Sequence, residues 1–216
     1  MGLAQYFSEE ICLRCKTYSP KIISFVAGIS ITYLFLDLFP TFAEGALGLT
    51  RLLFFSVVFG FAVFYIIEKY IYKHYSKNQL RKELAIEESF ASFIYHFVIG
   101  MVIVTFVDRG IFPAILFFAP PLFYTSISSF VSHHSKYKSI KILLSTSTLL
   151  GILFVLFVYP NLPPIIKFSL LGFVIGVLSY EIIRHSVPGG KKGEPIFFIL
   201  GATIYSLLIT FMWVIV

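Results

Sequence analysis

Pro20-Lys-Ile-Ile-Ser-Phe-Val-Ala-Gly-Ile-Ser-Ile-Thr-Tyr-Leu-Phe-Leu-Asp-Leu-Phe-Pro-Thr-Phe42 decides the fold. After Lys21 it carries one charged residue, Asp37. About 20 mostly apolar residues are enough to carry a helix across the hydrocarbon core. A water-soluble helix would show a polar face along such a length, and this one does not. The stretch is read as a membrane span, and the few polar groups left inside it then need a reason.

Six more stretches of the same kind follow. Spans are predicted at roughly 20–42, 51–72, 89–107, 111–132, 142–159, 165–185 and 195–216. Composition agrees, with 58% hydrophobic and 19% aromatic residues but only 13% charged. The predicted fold class is an all-α integral membrane protein of seven transmembrane helices. Residues 20–216 form one transmembrane domain, with 1–19 as a segment ahead of it. That segment is polar and mixed in charge, without the apolar run of a secretory signal. Leu3, Tyr6, Phe7 and Ile11 recur at helical spacing, so it is read either as a short interfacial helix or as a frayed tail.

Lys and Arg set the orientation, because short cytoplasmic loops keep them. On the N-terminal side of the predicted spans fall 14 of the 17, and only Arg51, Arg109 and Lys167 fall on the other. The N-terminus is therefore expected inside and the C-terminus outside, with the cell (plasma) membrane as the location. The same bias accounts for the formal +6 charge without a nucleic-acid partner. The partners it implies are the bilayer and anionic lipids at the basic inner face.

Cys12 and Cys15 form the only CxxC. On the cytoplasmic side a disulfide is not expected to persist. Reduced thiols, a redox pair and half a zinc site all remain open for it. Residues 76–88 are the one long loop and read as a charged helical extension of the third span. Enzyme signatures are missing: there is no HExxH, no GxSxG, no phosphate-cradling glycine loop and no pair of intramembrane aspartates. A retinal protein needs a lysine in its last helix, and 195–216 has none. The chain is expected not to be an enzyme.

Two predicted spans share a pattern. The first runs from Gly28 to Pro40 with Asp37 three residues before the proline. The sixth runs from Gly176 to Pro188 with His185 at the same place. The helices that follow correspond loosely through Gly60 and Tyr65, and Gly201 and Tyr205. By the charge-derived topology the first and sixth spans run in opposite directions. This is the pattern of an inverted repeat, helices 1–2 against 6–7 around a central pair, which places a site at the repeat interface.

On these residues the chain resembles the ZIP (Zrt/Irt-like) family of divalent-metal transporters with its first helix missing. That family has eight helices and both termini outside. Losing the first gives seven, N-inside and C-outside. The family's His-Leu-Leu-Pro-Glu helix end is similar to Asp37, Leu38, Phe39, Pro40 and Thr41. Its Gly-Phe…Glu resembles Gly60, Phe61 and Glu68, and its Gly-x-x-x-Tyr…Glu-x-x-Pro resembles Gly176, Tyr180, His185 and Pro188.

The resemblance implies a binuclear metal site on two middle helices, and there the sequence departs. With the family's His-Asn-x-x-Asp-Gly placed on Gly100, Tyr95 stands at the His, His96 at the Asn and Ile99 at the acid. With its His-x-x-Pro placed on Pro120, Phe117 stands at the His and Pro121 at the final ligand. A dehydrated divalent ion needs several oxygen or nitrogen donors, and of this set His96 is the one good ligand.

The candidate pathway residues are Asp37 at an outer mouth, His96 in mid-span, and Glu181 with His185 at an inner mouth. His96 has a plain alternative as a neutral imidazole bonded to a hydroxyl of a neighbouring helix, from Ser126, Ser128 or Ser129, or from Ser145 to Thr148. Glu68 is read as an interfacial pair with Lys69. Gly28, Pro40, Gly100, Pro120, Pro121, Gly176 and Pro188 are the helix-shaping residues, with a bend expected at Pro120-Pro121. No cofactor is required, and a divalent metal (Zn or Mn) is the candidate ligand, on His96 or on Cys12 and Cys15. The expected function is a small ZIP-like cation transporter with a degenerate site, as a homodimer or within a larger membrane complex. The alternative is an accessory subunit that moves no metal.

Overall fold

The computed structural model describes residues 19–75, 77–107, 110–128, 138–158, 162–183 and 193–215. Cys12, Cys15, Arg109, His185 and Pro188 lie outside them, so the readings placed there stay expectations. Among the described residues the chain is helical and contains no strand. This is what a bilayer requires, since a helix satisfies its own backbone hydrogen bonds where no water can.

The first span is longer than expected. Helix α1 (Ser19–Tyr33) passes into a π-helical turn at Leu34–Leu38 and continues as α2 (Phe39–Leu49). The predicted end at residue 42 is corrected: Pro40 lies inside a continuous helix. Pro40 has no N–H for the Leu36 carbonyl, and its ring would clash with that carbonyl in a regular α-helix. The Phe39 N–H instead reaches Leu34 O, five residues back, and widens the turn. Thr50 then breaks the helix with an extended backbone, and its side chain accepts from the Leu52 N–H.

Helix α3 (Phe54–His74) follows, and α4 (Lys77–Val107) is one unbroken helix, so the charged loop does extend the third span. Gly110, at φ 130°, turns the chain from α4 into α5 (Ile111–Ser128). Helix α6 (Lys138–Leu153) ends in a π-helical segment, Phe154–Val158. Helices α7 (Pro164–Glu181) and α8 (Pro195–Ile215) close the fold. Among the described residues four runs are long and apolar enough to cross a membrane: Pro20–Leu49, Arg51–His74, Pro164–Glu181 and Pro195–Val214. Three shorter apolar helices, Ser92–Val107, Ile111–Leu122 and Leu144–Val158, lie between them.

The helices pack chiefly as pairs: α1 with α8, α3 with α7, and α4 with α6, while α5 touches both α1 and α4. Lipid is as apolar as a leucine side chain, so such pairs depend on close contact between backbones. Glycine provides it in all three. A Cβ on Gly28 would strike the Phe198 carbonyl, and one on Gly201 the Phe25 carbonyl. One on Gly60 would strike the Phe173 carbonyl, and one on Gly176 the Val57 carbonyl. One on Gly100 would strike the Thr148 carbonyl, and one on Gly151 the Phe97 carbonyl. In every pair each glycine meets the carbonyl three residues before its partner glycine.

Two of the pairs are parallel. Along α1 and α8, Ser24 meets Glu194, Gly28 meets Phe198 and Ala202, and Tyr33 meets Tyr205. Along α3 and α7, Ser56 meets Gly172, Gly60 meets Phe173, and Phe64 meets Tyr180. Three hydroxyls of the serine and threonine run on α6 bond to carbonyls of their own helix. Ser145 and Thr146 donate to the Ile142 carbonyl and Ser147 to that of Leu144, each within its own helix.

Candidate functional site

Polar side chains gather where α1, α4, α7 and α8 converge. On α1, Ser30 and Tyr33 are fully buried, and Asp37 follows one turn later on the π-helical turn, half-buried. Tyr95 and His96 on α4 and Tyr205 on α8 are each 3% exposed. Glu181 is half-buried at the end of α7. Residues 182 and 183 then start π-helical, as Leu34 does, and both starts come six residues after the matching glycine.

The phenols meet one another. The Tyr33 and Tyr205 rings pack edge-on at 6.2 Å between centroids, and Tyr33 packs likewise on Phe117 at 6.2 Å. The Asp37 carboxylate is within electrostatic reach of the Tyr33 and Tyr205 hydroxyls, and Glu181 of the Tyr95 hydroxyl. Tyr95 is in turn within reach of Tyr33. Tyr205 donates to the Leu116 carbonyl at 2.8 Å. That carbonyl has lost its helical donor because Pro120, four residues on, has no N–H. The hydroxyls of Tyr33, Tyr95 and Ser30 are buried with no hydrogen-bond partner among the described residues. A buried hydroxyl left so costs about 1–3 kcal/mol.

The expected ligand positions behave differently from one another. Phe117 is fully buried and stacks on Phe106 at 4.4 Å, and Ile99 is fully buried in the same apolar core. Pro121 is buried in α5. His96 turns to its own helix: its Nδ1 lies 2.6 Å from the Ser92 carbonyl and 3.2 Å from the Ser92 hydroxyl. With Nδ1–H donating to the carbonyl, Nε2 keeps the lone pair. Ser92, one turn back on the same helix, is the partner of Nδ1. The side chains of Ser126 and Ser128, and all of Ser129, lie outside the described residues.

Glu68 is also corrected. It is buried and accepts a hydrogen bond from the Tyr180 hydroxyl across the α3–α7 contact. Lys69 is exposed, with its ammonium 5.5 Å from the centre of the Tyr65 ring. Of the helix-shaping residues, Gly28, Gly100 and Gly176 stand at the close backbone contacts, and Pro40, Pro120 and Pro121 sit inside helices.

The three phenols were missed as a group by the sequence reading. The signal was present in part: Tyr33 lies four residues before Asp37, which puts both on one face of a helix. Among the described residues no three His, Cys, Asp or Glu side chains are placed to hold a metal ion together. No family profile, characterised protein or solved structure matches the chain.

Proposed function

We propose that this is a ZIP-like polytopic membrane protein that moves a cation through the interface of two inverted repeats. The observation that carries the reading is the shared contact register of α1 with α8 and of α3 with α7. Gly28 meets Phe198 O and Ala202 N, and Gly176 meets Val57 O and Phe61 N, at the same offsets from Gly201 and Gly60. The central pair Gly100 and Gly151 shares the carbonyl offset, so what sets these two pairs apart is the added contact with the next backbone N together with the matching Gly-to-Pro spacing. An inverted repeat would produce both, because the pair α1·α8 maps onto the pair α7·α3.

The parallel pairs bear on the number of crossings. With only the four long helices spanning, the first and last would run in opposite directions, and so would the middle two. Parallel contact in both pairs follows if Ser92–Val107, Ile111–Leu122 and Leu144–Val158 also cross, which makes seven. Short, partly polar spans are tolerable when they are buried inside a bundle. The N-inside, C-outside orientation from the charge bias then completes the topology.

The test is cation uptake into proteoliposomes, with Zn²⁺, Mn²⁺ and Cd²⁺ and with His96→Ala as the paired variant. Uptake by the wild type and its loss in the variant would support a reduced transport site. No uptake by monodisperse, folded protein would leave the second reading, an accessory subunit. That reading has its own support in the apolar Ile99 and Phe117 at ligand positions. It expects the protein to copurify with a larger membrane partner.

A further inference from the structure

We infer that the cavity between the end of α4 and the start of α7 binds an acidic phospholipid, with Lys167 on its phosphate and one acyl chain along the apolar lining. The inference rests on the chain being a membrane protein and not on cation transport, so either can fail without the other. The cavity has a volume of about 290 Å³ and is open on one side. Val102 and Phe106 of α4 and Leu171 of α7 form its buried lining. Thr105 and Lys167 are half-buried. Among the described residues they are its only polar lining, and Lys167 is its only charge.

The walls are fixed by contacts elsewhere in the fold. Phe106 stacks on Phe117 of α5. The Phe168 ring, which also lines the cavity, lies so close over Gly45 of α2 that a Cβ there would strike it. Water held in such a place needs about two to four polar partners, and Val102, Phe106 and Leu171 offer none. Hydrocarbon meets the same surface without that cost, and the bilayer supplies it. The volume is close to the lower end of small-ligand sites, about 300 Å³. It suits part of one chain rather than a whole two-chain lipid.

The order of groups along α7 is that of an amphiphile. Helix α7 starts at Pro164, Lys167 comes ~5 Å along its axis, and Leu171 lies a further ~6 Å in. A lysine near the end of a span brings its ammonium to headgroup level while its stem stays over apolar surface. Charge at the rim and hydrocarbon lining below match the head and tail of a lipid. No carboxylate of the described residues lines the cavity, so a cation finds no partner there, whereas a phosphate finds Lys167. Lys167 is also one of only three cations, of 17, on this side of the predicted spans. The positive-inside bias favours lysine on the other side, so a lysine here calls for a local reason. An anion at the cavity mouth supplies it.

The probe is phosphatidylglycerol, compared with phosphatidylcholine and with oleate, added to the delipidated full chain in detergent. Bound lipid is counted by native mass spectrometry, and the rise in melting temperature is read alongside. Wild type should hold a single tightly bound phosphatidylglycerol and take phosphatidylcholine more weakly. Lys167→Gln should weaken phosphatidylglycerol binding roughly fivefold, as loss of one cation near a headgroup does. Thr105→Phe should fill the cavity, abolish the tight site and keep or raise the melting temperature without lipid. Lys73→Gln removes an exposed cation at the end of α3 and should bind as wild type. That pattern supports the site. Equal losses in Lys73→Gln and Lys167→Gln would mean that net charge holds the lipid, and would overturn it. Oleate bound in place of phosphatidylglycerol would overturn the phospholipid as occupant. Tight binding that survives a folded Thr105→Phe would overturn the place of the acyl chain. No tight binding, or none weakened by Lys167→Gln, overturns the inference outright, and this arm decides alone should Thr105→Phe not fold.

Discussion

Pro120 has no N–H to give the Leu116 carbonyl, and the Tyr205 hydroxyl takes its place at 2.8 Å. Tyr205→Phe should therefore destabilise by about 1–2 kcal/mol, because it leaves a buried carbonyl unpaired. In a Pro120→Ala background the backbone N–H at 120 returns and the same change should cost much less. A double-mutant cycle by thermal or denaturant unfolding in detergent reads that coupling. Equal costs in the two backgrounds would show that Tyr205 does not act through Leu116. Glu68 gives a second case. Its hydrogen bond from Tyr180 joins residues 112 apart in sequence, and Tyr180→Phe should cost about 1.5–3 kcal/mol, the range for a bond to a charged acceptor. Lys69→Ala should change stability little, and a cost equal to that of Tyr180→Phe would restore the pairing with Lys69. The sequence showed that two carbonyls on α5 would lose their donors, but not which side chain would answer. Nothing local in Tyr205 or Tyr180 points to a partner 89 or 112 residues away. Neighbour relations invited the Glu68–Lys69 pair, whereas helical geometry sends adjacent side chains to different faces.

Across elements, the same contact recurs three times with glycine on both sides. The atoms that block a Cβ at Gly28, Gly60, Gly100, Gly151, Gly176 and Gly201 are backbone atoms of the facing helix, so the helices themselves must part. Each change to alanine should cost about 1–3 kcal/mol, as overpacking does. A Cβ on Gly48 would meet nothing within 4 Å, and Gly48→Ala should leave the melting temperature in detergent unchanged or raise it. Gly28→Ala and Gly176→Ala should cost alike, because their contacts match in register. Gly28→Ala and Gly201→Ala should combine to less than their sum, since both part the same two helices. A full sum would mean that the two sites yield independently. The spacing of Gly28 to Pro40 and Gly176 to Pro188 is the sequence basis of the proposed inverted pattern, and the structure places Gly28 and Gly176 at close contacts of matching register. The partnering of Gly100 with Gly151 was not legible, because a lone glycine in an apolar helix carries no mark of what lies opposite. Pro40 misled in another way: proline commonly ends a helix, and here a π-helical turn absorbs it and the helix runs on to Leu49.

For the whole molecule, the parallel contacts tie topology to packing. Helix α1 rises beside α8 from Ser24 and Glu194 to Tyr33 and Tyr205, so the two start at the same membrane face. The residue before α1 and the residue after α8 then lie on opposite sides, provided that both helices cross fully. The distribution of Lys and Arg, 14 of 17 on the N-terminal side of the predicted spans, is the basis for proposing that side as the inner one. On the proposed seven-span reading the parallel contact requires an odd number of crossings, and the charge bias puts the N-terminus inside. Short epitope tags at either end of the full chain, probed by an impermeant antibody on intact and then permeabilised cells, test this directly. The C-terminal tag should be reached in intact cells and the N-terminal tag only after permeabilisation. Reversal of both would keep the packing and discard the charge argument. Both tags on one side would mean an even number of crossings, which the parallel contact of α1 with α8 does not allow, and the paired arrangement itself would fall.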